Sequence, residues 1–151
     1  MLDLVFLTGG KKQIELGCSV EISLGDFVKY LVLLLHKNNI VFTLRSYRPW
    51  HHLFWRLKKD PAVSGRPAFF EKLWFDWDGP YPESPELSEY LDALLRVGCI
   101  ESASPRFEKY WLTERMASLW LFHFEALDDQ TKIFLNNAAV LAQEEFQKNA
   151  E

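Results

Sequence analysis

The chain has almost no cysteine, no long apolar run and no excess of positive charge, and each lack removes a class of protein. Among its 151 residues only Cys18 and Cys99 carry thiols. They sit far apart among apolar neighbours and form neither a CxxC pair nor a Cys/His spacing suited to zinc. Reduced, structural thiols in a cytoplasmic protein are expected, with a Cys18–Cys99 disulfide as the alternative. The longest apolar run, at 30–35, is far short of the roughly 20 residues a membrane span needs. The apolar stretch 2–7 is short and broken by Asp3, so it does not read as a secretory leader. With 17 Lys and Arg against 21 Asp and Glu, the formal net charge is −4. No protein-wide positive field draws nucleic acid, so such binding would require a local basic patch. P-loop, GxSxG, HExxH and GxGxxG motifs are missing, which favours no enzyme class, no catalytic residues and no cofactor.

What is present is apolar and aromatic. Hydrophobic residues make up 48% and aromatic ones 15%, with six tryptophans, enough for a real core. Gly9-Gly10, between 2–7 and the alternating 12–16, predicts a β-hairpin arm or an irregular docked arm. Ser23 or Asp26 caps a helix carrying Phe27, Leu31, Leu34 and Leu35, which stops at His36-Lys37-Asn38-Asn39. The β-branched stretch 40–44 reads as a short strand. Pro49 suits the first turn of a helix over 50–59, with Leu53, Phe54 and Leu57 on one side and Asp60-Pro61 as its stop. A short helix is expected over 68–74.

Asp78-Gly79-Pro80-Tyr81-Pro82 is a turn. Ser84 then caps a helix whose face is Leu87, Leu91, Leu94 and Leu95, and Gly98 ends it. Cys99-Ile100 and 107–112 read as two strands around a loop. Thr113 caps a helix through Met116, Leu119, Trp120 and Leu121. Asp128 and Asp129 open a last helix reaching about Lys148, with Phe134, Ala138, Leu141 and Ala142 along it.

Helix, glycine, apolar pair, loop, strand and Leu-Thr is the order a winged helix requires. Tyr110-Trp111-Leu112-Thr113 after Leu94-Leu95-Arg96-Val97-Gly98-Cys99-Ile100 resembles the "L..L...G.I … Y.LT..G" pattern of winged-helix regulators of the MarR and PadR kind. Gly79-Pro80-Tyr81 before the helix resembles the "GPYS" box of a phage-associated, antitoxin-like group more closely. Pro82 stands where that box has serine, and Met116 where the wing motif has glycine. The likeness covers roughly residues 70 to 116. It implies a mainly α fold with a small β-wing: a winged helix-turn-helix domain over 1–112, with an N-terminal β-arm, followed by additional C-terminal helices over 113–151. It also implies a transcription regulator or an antitoxin-like protein-interaction module.

The helix before the wing is acidic. Glu86, Glu89 and Asp92, with Glu83 upstream, would face phosphates, and Arg96 is its sole cation. Repulsion of a few kcal/mol at low effective dielectric makes it a poor reader of the major groove. The one basic stretch is 45–59, where Arg45, Arg48, Arg56, Lys58 and Lys59 alternate with aromatics and no acid intervenes. That pattern suits phosphate contact and base stacking. It equally suits an amphipathic helix paired with acidic regions of the same protein, or an acidic protein partner. With Arg106 and Lys109 of the wing, these seven cations are the expected DNA-binding residues.

His51-His52 are adjacent, so on a helix they point about 100° apart and do not share a metal. Asp76 and Asp78 flank Trp77 and either cap the turn or form a cation or acid pair. The apolar excess at Met116, Leu119, Trp120, Leu121, Phe122, Phe124, Ile133, Phe134 and Leu135 predicts a homodimer through the terminal helices, or helices that wrap the core.

Overall fold

The computed structural model describes residues 22–60, 65–102 and 110–148. The expected N-terminal arm, Cys18, Arg106 and Lys109 lie outside them. Among the described residues the chain is mainly helical, with one two-stranded antiparallel sheet.

Helix α1 spans Leu24–Lys37 and is buried on nearly every side from Phe27 to Leu35, as expected of a helix that is apolar around most of its circumference. Of the two candidate caps, the Ser23 hydroxyl is the one used: it accepts the Asp26 N–H at 3.1 Å. Around α1 pack α4 (Pro85–Arg96), α5 (Glu114–Glu125) and α6 (Asp129–Lys148), and α6 also packs on α2 (Arg48–Lys59). The Phe27 ring ties these together. Its centroid lies 5.6 Å from that of Phe54 in α2, 5.5 Å from Phe70 in the four-residue α3 (Phe69–Lys72), and 5.8 Å from Phe134 in α6. The first and last thirds of the described chain therefore share one core.

Helix α4 starts as its sequence dictates. The Ser84 hydroxyl accepts the Leu87 N–H at 3.3 Å, and Pro85 takes the first position, where a missing N–H costs nothing. Gly98 leaves the helix at φ +75, a conformation that a side chain disfavours. Strands β1 (Ile100–Ser102) and β2 (Tyr110–Leu112) follow, pairing Ile100 with Leu112 and Ser102 with Tyr110. Thr113 then caps α5 through its hydroxyl. Asp128 caps α6 by accepting the Thr131 N–H and hydroxyl, and those bonds hold its carboxyl below the usual range.

Four expectations need correction. The stretch 40–44 is no strand: Phe42 and Leu44 are buried, but the Thr43 carbonyl takes the Trp50 indole N–H at 2.8 Å and the Arg45 amide turns back to the Thr43 hydroxyl, which leaves no ladder to join. The helix expected over 68–74 stops at Lys72, and Trp74 points outward. Leu95 is 40% exposed, so the buried face of α4 is Leu87, Leu91 and Leu94. The first strand runs over 100–102 rather than 99–100, and the second covers 110–112 of the expected 107–112, of which 107–109 fall outside the described residues. Cys99 is a free, buried thiol whose pKa burial raises.

Candidate functional site

Helix α2 has two working sides. Trp50, Leu53, Phe54 and Leu57, at i, i+3, i+4 and i+7, face the core. Arg48, His52, Trp55 and Lys59, also three and four apart, form a second stripe. Together with Arg56 and Lys148 that stripe lines an open cleft of about 580 Å³ between α2 and the C-terminal end of α6. Four cations line it against two carboxylates, Asp60 and Glu145.

The cations are not equivalent. Arg56 is committed to the fold: Nη1 lies 3.1 Å from Glu145 and Nη2 3.1 Å from Glu144. Burial opposes its charge, but the two carboxylates outweigh that and raise its pKa. Glu145 is 4% exposed and also faces Lys148 at 3.5 Å. Lys58 lies outside the cleft and donates to the Leu73 carbonyl, and burial, then the Lys59 charge, lowers its pKa. Arg45 precedes the helix. Arg48 and Lys59 instead lie over aromatic rings, at 5.6 Å from the Tyr81 centroid and 5.1 Å from that of Trp55. Among the described residues neither pairs with a carboxylate.

The other bank of the stripe is the turn between α3 and α4. Asp76 and Glu83 exchange both backbone hydrogen bonds, at 2.7 and 3.0 Å, and the Asp76 carboxylate accepts the Asp78 N–H at 2.9 Å. Asp76 thus caps the turn. The closed loop lays Tyr81 against His51 and His52, and Trp77 edge-on to Trp55 at 4.9 Å with the rings crossing at 80°. Trp77 remains 55% exposed.

His51 fixes this loop to α2. It is fully buried, and its Nδ1 accepts the Ser84 N–H, so Nε2 carries the ring hydrogen and donates to the Ser88 hydroxyl at 3.1 Å. A histidine held in that tautomer cannot take a proton from Ser88, so the pair is a strut and not a nucleophile with its base. Burial, then the neighbouring His52, lowers the His51 pKa to about 4. On the acidic helix α4, Asp92 accepts the Tyr47 hydroxyl at 2.6 Å. That bond raises the Tyr47 pKa, after burial as the first cause.

Among the described residues, no group of three or more His, Cys, Asp and Glu could hold a metal. None of their helices is long and apolar enough to cross a membrane. Of the expected DNA-binding cations, the structure brings Arg48, Arg56 and Lys59 to one cleft and sets Arg45 and Lys58 apart. The sequence reading missed Lys148, Trp77 and Tyr81 as neighbours of the stripe. The spacing of 48, 52, 55 and 59 was available to it. Comparison with known protein families, curated proteins and solved structures finds no match to the chain.

Proposed function

We propose that this is a cytoplasmic, non-enzymatic DNA-binding protein of regulatory type on a winged-helix scaffold, and that it binds through the outer face of α2. The observation that carries the reading is the stripe Arg48, His52, Trp55 and Lys59, with Lys148 on the facing bank. Arg48 and Lys59 hold their charge against rings rather than carboxylates, so a phosphate there breaks no ion pair among the described residues. The scaffold reading is supported by the order α4, Gly98, β1, β2 and α5, with α4 seated on α1. Its departure from a conventional reader is electrostatic: the carboxylates of α4 repel phosphates, and binding passes to α2.

The test is DNA binding measured against salt. Two or three phosphate contacts give a slope of log K against log salt of about −2 to −3. Arg48→Glu with Lys59→Glu should weaken binding at least tenfold and flatten that slope. Unchanged binding, or none at low salt, overturns the proposal.

A second reading rests on a different surface. Leu119 and Phe122 are exposed on α5, Phe122 at 74%. An unpaired apolar face of that kind favours a protein contact, either a homodimer through the terminal helices or a protein-interaction module without DNA binding.

A further inference from the structure

We infer that the nucleic acid this cleft takes is an unpaired strand, its phosphates on Arg48 and Lys59 and its bases against Trp77. The inference rests on the reading of the cleft as a nucleic-acid interface and adds which form of nucleic acid fits it.

Three features point to a single strand. First, the cations form a single row between two flanks. The α6 end, with Glu145 and Lys148, stands on one side, and the closed loop bearing Trp77 and Tyr81 stands on the other. Arg48 and Lys59 are both exposed and make one row of charge, which suits one backbone better than the two of a duplex. Second, the rings stand beside the charges. Trp55 and Trp77 cross at 80° instead of stacking on each other, so neither hides the other's full face, and Trp77 is more than half exposed. A base paired inside a duplex offers no face to such a ring, whereas an unpaired base does. Third, a second phosphate row would fall toward acid. Ser84, which touches His51, is flanked by the exposed carboxylates of Glu83 and Glu86.

The length also fits. Arg48 and Lys59 are eleven positions apart on α2, about 16 Å of helix. That matches roughly five nucleotides stacked at about 3.4 Å each. The loop is braced by the Asp76–Glu83 pair and the Asp78 amide, so the platform is built before any strand arrives.

The experiment measures anisotropy of labelled oligo(dT) and of a duplex of the same length, at one salt concentration, with poly-glutamate as competitor. Oligo(dT) is expected to bind at least tenfold more tightly than the duplex. Trp77→Ala should weaken oligo(dT) by about tenfold and leave the duplex unchanged, and Trp77→Phe, which keeps a stacking face, should restore most of the loss. Thermal unfolding of each variant shows that the fold persists. If the duplex binds as tightly, or Trp77→Ala changes nothing, the inference fails while the DNA-binding proposal stands. If neither nucleic acid binds, both fail. If poly-glutamate displaces oligo(dT) at equal charge, the cleft is a site for acidic peptides and the inference is overturned.

Discussion

Arg56 and Glu145, 89 residues apart in sequence, meet at 3.1 Å across the junction of α2 and α6. The carboxylate is almost fully buried and the guanidinium about one-third exposed. Removing the cation strands a buried charge, which costs more than the pair itself contributes. Lys148 remains within 3.5 Å of Glu145 and limits the damage. Arg56→Met is therefore expected to destabilise the fold by about 2 kcal/mol in urea unfolding at neutral pH. A change in the proposed DNA binding of that variant would mix lost stability with a lost cleft contact, which is why Arg48 and Lys59 are the residues to replace in binding assays.

His51 makes stability fall as acid is added. Burial holds its pKa near 4 in the folded protein, while in an unfolded chain it titrates near 6.5. The unfolded state therefore takes up the proton first. The contribution is fully present above about pH 6.5 and is lost progressively down to about pH 4, amounting to about 3 kcal/mol. His52, whose pKa burial also lowers, acts in the same direction. His51→Asn keeps an acceptor for the Ser84 amide and removes the titration. Urea midpoints between pH 7 and pH 4.5 should fall steeply for the natural protein and much less for the variant.

Gly98 separates backbone strain from crowding. A Cβ there meets nothing within 4 Å, yet φ is +75. Gly98→Ala is expected to cost about 1 kcal/mol, and Gly98→Asn less, because asparagine tolerates the left-handed region. A loss well above 2 kcal/mol for alanine would mean that the turn into β1 is shaped by more than φ.

The apolar face of α5 gives a test of association. If copies pair through Leu119 and Phe122, sedimentation at micromolar concentration should show a dimer that Phe122→Glu converts to a species near 18 kDa. A monomer in the natural protein removes the homodimer from the second reading. Phe122 is too exposed for this change to disturb the core.

Much of the fold was legible because local chemistry decided it. Ser23, Ser84, Thr113 and Asp128 cap the helices they precede, and Pro49 and Pro85 sit in first turns. The stretch 40–44 misled because it is short and β-branched as strands are, while its carbonyl and amide partners are an indole and a hydroxyl. Leu95 misled because helical spacing gives direction but not the width of the surface α4 covers. Within the site, Asp76 was legible as a turn cap, and the stripe on α2 could be read from its spacing.

The sequence by itself determined where the helices begin and end, that a glycine turns the chain out of α4, and that the helix before the sheet is acidic. These follow from hydrogen bonds and steric limits within a few residues of each other. Only the tertiary structure decided which cations remain available for a ligand. Arg56 is paired with carboxylates far along the chain, Lys58 donates to a carbonyl of a later loop, and Arg48 and Lys59 rest on rings. Charge pairing depends on distance in space, and the approach of α6 and of the 76–83 loop to α2 is set by burial of the shared core.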